Sequence, residues 1–279
     1  MQKISDKKDF KKKVLQLKMD TLEMLNKAGS GHIGGGYGMA DIWVALYYGI
    51  LNYDSSNPDW VERDYMLLSN GHTCPIWYAT LADVGFFSKS ELNNLRKIDS
   101  LLQGHPKVMI PGVENSSGPL GHGLSQAIGI ALGLKLDKKD NRVYCFVSDG
   151  EQQEGQNWEA AMSASKWKLD NLIAIMDNNG VQIEGTTDEI MPLGDIAGKY
   201  RAFGWEVIEI DGHDYDQIEK AFEDAIKVSG KPVMIIANTV SGKGISFMEN
   251  DPGFHDWKGE EGDYEKAKVE LEEALNSLG

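Results

Sequence analysis

The chain is poor in cysteine, with only Cys74 and Cys145 among 279 residues, far apart and outside any C-x-x-C spacing. A chain of this length buries enough surface to fold without disulfide or metal staples, and such sparse cysteine use leads us to expect a reducing compartment. Long apolar runs are missing too. The longest uncharged one, Ile42 to Leu51, covers ten residues, about half of a membrane span. The opening MQKISDKKDFKKKV has lysines but no apolar stretch behind them, so no secretory leader is expected. Positive charge is short: 28 Lys and Arg face 43 Asp and Glu, a formal charge of −15. That balance disfavours nucleic acid and anionic membrane as partners. The lysine-rich stretch Lys3–Lys18 reads as a solvated helix face. There is no internal repeat and no low-complexity linker, so the expectation is one domain over 1–279, acidic, soluble and cytoplasmic.

Glycine is abundant, 31 of 279, against a usual ~7%. No collagen period accompanies it, so these glycines belong in turns and at close backbone approaches. Phe10, Val14, Leu17, Thr21 and Met24 recur at helical spacing, and Ala28-Gly29-Ser30-Gly31 ends that helix. Further helices are expected over Met39–Gly49, Pro75–Val84, Leu120–Leu136, Glu154–Lys166, Asp195–Ala202 and Tyr215–Val228, with one more at the end of the chain. In the Leu120–Leu136 helix, Gly121, Ser125, Gly129 and Gly133 form a small-residue face suited to close packing. Strands are expected at Tyr65–Ser69, Val143–Val147, Leu172–Met176, Trp205–Ile210 and Val233–Ala237. Uninterrupted apolar strands alternating with helices predict an α/β fold, a doubly wound parallel sheet with helices on both faces.

Open parallel sheets bind ligands at the carboxyl ends of their strands. Two neighbouring ends are chemically rich. Ser148-Asp149-Gly150 follows one strand, and Asp177-Asn178-Asn179-Gly180 follows the next. Hard oxygen donors such as Asp149 and Asn179 suit Mg²⁺ that is shared with a phosphate, and the amide of Gly150 is expected to be free for a phosphate oxygen. Taken singly, Asp149 could equally be a helix cap and Asn179 a turn residue; their pairing at adjacent strand ends favours the metal.

The stretch D-G-E-Q-Q-E-G, followed thirty residues later by N-N-G, resembles the diphosphate-binding signature of thiamine-diphosphate enzymes. Four further segments resemble transketolase, in its order: Lys27-Ala28-Gly29-Ser30-Gly31-His32-Ile33-Gly34, Leu68-Ser69-Asn70-Gly71-His72, Gln103-Gly104-His105-Pro106 and Gly118-Pro119-Leu120-Gly121. The likeness runs from about residue 10 to 260. It implies that thiamine diphosphate and Mg²⁺ are held by Asp149, Asn179, the carbonyl of Val181 and the amide of Gly150. Leu120 and the backbone at Gly118 would pack on the cofactor rings. His32 and His105 would bond the sugar's hydroxyls and move protons, while His72 and His255 would lie near the diphosphate and the entering substrate. His255 sits in Phe254-His255-Asp256-Trp257-Lys258-Gly259, where the family has Trp-His-Gly-Lys. Glu154 would stand at a subunit boundary, or else serve as a first-turn acid. His122 and His213 read as structural. Asp211-Gly212-His213-Asp214 reads as a turn, and Ser241-Gly242-Lys243-Gly244 lacks the spacing of a P-loop.

The resemblance covers only the diphosphate-binding part of transketolase. The pyrimidine-binding part, whose glutamate activates the cofactor, is expected on a separate chain. The implied activity is transfer of a two-carbon ketol unit between sugar phosphates, by a homodimer of this chain within a heterotetramer. Two alternatives stand beside it: the α-type subunit of a 2-oxo acid dehydrogenase, and a non-catalytic scaffold that kept the fold. The Gly-His pairs and the intact Asp149 and Asn179 argue against both.

Overall fold

A computed structural model of the chain describes residues 3–279. Helix α1 (Lys7–Ala28) opens at Asp6, whose carboxylate accepts from the amides of Lys8 and Asp9, and closes at Gly29 with φ of 67°. Both caps satisfy backbone groups that a helix end leaves open. The expected stripe from Phe10 to Met24 is buried, and so is Lys18.

The chain continues through β1 (Gly31–His32), α2 (Gly34–Gly38), α3 (Ala40–Ala45), β2 (Tyr65–Leu68), α4 (Cys74–Asp83), α5 (His122–Leu136), β3 (Val143–Ser148) and α6 (Gly155–Lys166). Next come β4 (Leu172–Asn178), the hairpin β5 (Val181–Gln182) and β6 (Gly185–Thr186), α7 (Thr187–Ile190), α8 (Ile196–Ala202), β7 (Glu206–Asp211) and α9 (Tyr215–Ala225). The last elements are β8 (Val233–Asn238), β9 (Asp256–Trp257) and α10 (Asp263–Ser277).

Five strands form one parallel sheet in the order β2-β3-β4-β8-β7. Alternate residues of the inner strands feed two cores. Tyr144, Phe146, Ile173, Ile175 and Ile235 face one side, with Leu17 of α1, Trp43 of α3, Trp77 of α4 and Phe222 of α9. Cys145, Val147, Ala174, Met176 and Ile236 face the other, with Leu124 of α5, Ala161 of α6 and Tyr200 of α8. Strands buried on both faces explain the continuous apolar runs. The doubly wound α/β expectation therefore holds. No helix among the described residues is long and apolar enough to cross a membrane.

Two local expectations change, and one long-range pairing is new. The helix foreseen over Met39–Gly49 passes into a wider π turn at Leu46–Ile50 and is preceded by α2, whose Gly-rich start carries no apolar period. The β1–β9 pairing joins segments more than 220 residues apart. The small-residue face of α5 does not pack within the chain: Ser125, Gly129 and Gly133 are exposed, and a Cβ on either glycine would meet nothing within 4 Å. The close approach of α5 is made by Gly123, where a Cβ would lie 2.4 Å from the Cβ of Ser69.

Candidate active site

The carboxyl ends of β3, β4 and β8 converge on a group of oxygen donors. Asp149 caps the turn after β3 and is buried; its carboxylate accepts from the amides of Gly150 at 2.7 Å and Gly180 at 2.6 Å. The Gly150 amide is thus not free, as the sequence suggested, but engaged by the neighbouring carboxylate. Across the β3–β4 pair the Asp149 amide donates to the Asp177 carbonyl at 3.0 Å. The Asn179 side chain donates to the Asp177 carboxylate at 2.8 Å and accepts from the amide of Val181 at 2.9 Å, where the β5–β6 hairpin begins. Thr239, just beyond β8, donates its hydroxyl to Asp177.

Burial pushes the Asp149 carboxyl up to about 6. Burial and then the charge of Asp149 push Asp177 up to about 7. Two crowded carboxyls with amide and amide-oxygen neighbours form a donor set that a divalent cation would relieve. The residues fit Mg²⁺. Asp177 escaped the sequence reading, although it stands at a strand end two residues before Asn179.

A second group is built of histidines. Pairing of β1 with β9 brings His32 to His255, with ring centres 5.2 Å apart. The turn after β2 brings His72 to 4.9 Å from His32 and 5.3 Å from His255. The Gln103–Pro106 loop places His105 at 6.5 Å from His32. Asp256, the residue that departs from the family pattern, lies with its carboxylate 3.1 Å from His32 Nε2. Burial holds His32 down at about 4, with His255, Arg96 and His105 adding to the effect. Burial also lowers His72, His105 and His255 below the usual imidazole range. All four rings are neutral near pH 7, so each offers one donor and one acceptor nitrogen.

The floor between the two groups has open valences. His32 Nδ1, Asn70 Oδ1 and Ser117 Oγ are buried without a hydrogen-bond partner, a state that native interiors rarely leave uncorrected. Gly118 lies beside His105, and a Cβ there would be 3.7 Å from the ring. Gly35 bridges the two groups: its Cβ would sit 3.2 Å from the Asp177 carboxylate and 3.1 Å from Thr73. A polar, phosphate-bearing cofactor fits such a cradle.

The remaining candidates separate. Leu120 is half-buried at the start of α5. Glu154 is exposed and lies against Gly121. Its buried neighbour Glu151 was missed; it accepts from the hydroxyl of Ser69 and the amides of Gly121 and Ser148. His213 is structural, accepting from the Val240 amide at 2.9 Å. His122 is an exposed residue whose Nδ1 lies 2.8 Å from the Gln156 amide. Among the described residues no cluster of three His, Cys, Asp or Glu side chains could hold a metal; the oxygen site needs Asn179 and backbone to complete it.

Comparison with known proteins agrees with this geometry. Residues 8–272 match the family described as transketolase, thiamine diphosphate binding domain. The chain is 44% identical over 253 residues to a 6-deoxy-6-sulfo-D-fructose transketolase subunit of Clostridium sp. (strain MSTE9), covering 90% of this chain and 92% of that one. It is 39% identical to an apulose-4-phosphate transketolase subunit of Phocaeicola vulgatus, covering 92% of each. The crystal structure of a transketolase from Campylobacter jejuni superposes with a TM-score of 0.89 at 34% identity, over 96% of this chain but only 43% of that one. The chain thus spans nearly all of the subunit-type relatives and less than half of that solved transketolase.

Proposed function

The chain belongs to the transketolase family, and from that premise we propose that it is the diphosphate-binding subunit of a two-chain transketolase. The pair would move a two-carbon ketol unit from a ketose phosphate to an aldose phosphate. The observation that carries this reading is the juxtaposition of four neutral histidines with hard oxygen donors at two adjacent strand ends. In this assignment Asp149, Asn179 and the Val181 carbonyl hold Mg²⁺. His72 faces the diphosphate, while Leu120 and Gly118 pack on the rings. The buried valences of Asn70 and Ser117 complete the cradle.

When bound, thiamine diphosphate supplies a carbon nucleophile and an electron sink for cleaving and remaking a carbon–carbon bond. The protein's part is orientation and proton movement. His32, fixed by Asp256 at Nε2, presents its unpartnered Nδ1 to a sugar hydroxyl. Neutral His105 and His255 can take a hydroxyl proton as the bond breaks and return one as the next bond forms. A phenyl- or acyl-recognising site would want apolar walls here; a histidine quartet suits a polyol, which disfavours the 2-oxo acid dehydrogenase reading.

The pyrimidine-binding domain would come from a separate chain, with Glu154 and the exposed Ser125-Gly129-Gly133 face of α5 available at that boundary. The assembly we propose is a homodimer of this chain within a cytoplasmic heterotetramer. The test is calorimetric titration of thiamine diphosphate with Mg²⁺ into the chain, with and without its partner chain, together with a coupled ketol-transfer assay. Activity is expected only on mixing. An active monomer, or a mixed complex that binds no cofactor, would overturn the proposal.

A further inference from the structure

At the end of the sheet opposite the oxygen site lies a cavity of about 780 Å³ that the ketol-transfer reading does not use. It opens at the amino ends of β2 and β3, between α9 and the π turn that follows α3. Tyr144 lines it, five residues of chain before Asp149. That is about 16 Å of extended backbone, so the two sites are separate. The volume falls in the range of roughly 300–1,000 Å³ that holds a small organic ligand.

Its walls are aromatic. Phe10 of α1 meets Tyr215 of α9 edge-on with ring centres 4.6 Å apart, and Tyr144 meets Phe222 of α9 at 6.2 Å. Such walls take a flat ring. Polar groups converge deeper in. Tyr144 is only 1% exposed, yet its hydroxyl has no hydrogen-bond partner among the described residues. The other two tyrosines of the cavity are engaged: Tyr48 donates to Asp83, and Tyr215 donates to Glu219 at 3.3 Å. A buried phenol left without a partner is uncommon. The Asp64 carboxylate accepts from the amides of Asn52 at 3.0 Å and Arg142 at 2.8 Å, one to each oxygen, and forms no ion pair among the described residues. Each oxygen therefore keeps a lone pair, and the charge of Asp64 is felt at the Tyr144 hydroxyl. A phenol that can donate and a carboxylate that can accept match the ring nitrogen and amino group of an adenine or cytosine edge.

One segment of the lining is cationic. The turn Lys138–Arg142 brings three cations against one acid, Asp140. Lys138 and Lys139 are exposed and form no ion pair among the described residues, and Arg142 holds only the Ile226 carbonyl, at 3.4 Å. Glu219 and Glu223 of α9 also line the cavity, so the lining carries both signs and suits neither a bare inorganic anion nor a wholly apolar guest. A flat ring with an amino edge, sugar hydroxyls for the carboxylates and one anionic group describe a nucleotide.

We propose that this cavity is a second ligand site of the subunit, built for a nucleoside monophosphate with an amino-bearing base. The base lies between the aromatic walls with its edge at Tyr144 and Asp64, and the phosphate rests on Lys138, Lys139 and Arg142. The test is calorimetric titration of AMP, CMP, their nucleosides and inorganic phosphate into the full chain at low salt, with and without thiamine diphosphate and Mg²⁺. At least one nucleotide should bind with Kd below about 1 mM, tenfold or more tighter than its nucleoside, and equally with the cofactor present; phosphate alone should not bind. Tyr144→Phe removes one hydroxyl and should weaken that nucleotide by about threefold to tenfold, the worth of one buried hydrogen bond. Joint replacement Lys138→Ser with Lys139→Ser, at exposed positions that leave the core intact, should weaken it tenfold or more and leave the nucleoside unchanged. The proposal is overturned if neither nucleotide binds, if nucleotide and nucleoside bind alike, or if both variants bind as wild type does. Displacement of the nucleotide by thiamine diphosphate would put it in the catalytic cleft and overturn the proposal too.

Discussion

Replacing Glu151 by glutamine tests whether one buried carboxylate ties three segments of the site together. Glu151 is fully buried and takes three donors: the Ser69 hydroxyl from the end of β2, the Gly121 amide at 2.5 Å from the start of α5, and the Ser148 amide at 3.2 Å from the end of β3. It forms no ion pair among the described residues, and burial raises its pKa. Glutamine is nearly isosteric but keeps one acceptor oxygen and turns the other into a donor. With its oxygen left to Ser69 and Gly121, its NH₂ group faces the Ser148 N–H, and a buried donor goes unpaired. That costs about 1–3 kcal/mol, partly offset because a neutral amide is less costly to bury than a carboxylate. The net expectation for Glu151→Gln is a loss of about 1–2 kcal/mol, with Glu151→Ala, which orphans all three donors, losing about 3 kcal/mol or more. Urea unfolding of the purified chain measures this as a lower midpoint at constant slope. If Glu151→Gln unfolds at the wild-type midpoint, or later, the carboxylate is not the anchor and the reasoning fails.

Three further outcomes are expected. Because the folded chain holds His32 at about 4, below the ordinary 6.5, the unfolded chain alone binds that proton between these pH values; the stability tied to a neutral His32 is complete above 6.5 and is lost as pH falls toward 4. Asp149 and Asp177, held high, act in the opposite sense, so the readout is the difference between His32→Gln and wild type, which should move in the variant's favour by up to about 2 kcal/mol from pH 6.5 to 5, less the screening at a ring one-fifth exposed; a pH-independent difference in thermal melts contradicts it. Gly123→Ala should destabilise by about 3 kcal/mol or more, because its Cβ would lie 2.4 and 2.5 Å from the Cβ and Cα of Ser69, and an overpacking clash with backbone has no flexible neighbour to yield; a melting temperature within a degree of wild type refutes it. His105→Ala in the two-chain complex should lower turnover by about 10²-fold if His105 moves protons, and retained turnover with weakened cofactor binding alone would reverse that role.

Elements whose cause is local were legible in the sequence. The stripe from Phe10 to Met24, the apolar runs of β3, β4 and β8, and the glycine stop at Gly29 each declare themselves within a few residues. Asp149 and Asn179 were legible because a parallel sheet turns sequence spacing into adjacency. What stayed hidden depends on contacts distant in sequence. The β1–β9 pairing has two residues on each side and no periodicity to detect. Lys18 stands on the apolar stripe, one residue after Leu17 and four after Val14, but its charge groups it with the solvated lysines around it. Asp177 and Glu151 look like ordinary turn acids, because nothing local says that a carboxylate at a strand end will be buried.

Ser241-Gly242-Lys243-Gly244, set aside in the sequence as no phosphate loop, has a positive role in the fold. Thr239 just before it donates to Asp177, the Val240 amide donates to His213, and the Gly242 amide donates to the Gly34 carbonyl at 2.9 Å. From below, Lys18 of α1 donates to the Lys243 carbonyl at 2.7 Å. Burial lowers that lysine's pKa, so its charge stands against a desolvation cost that one carbonyl and the more distant acids Asp41 and Glu249 must offset. A methionine at position 18 would fill the space without the bond. The structure therefore couples the first helix, through one buried cation, to the loop that fixes both Asp177 of the oxygen site and Gly34 next to the histidine strand. That coupling gives a physical reason for a lysine on an otherwise apolar stripe, more than 220 residues in sequence from the loop it steadies.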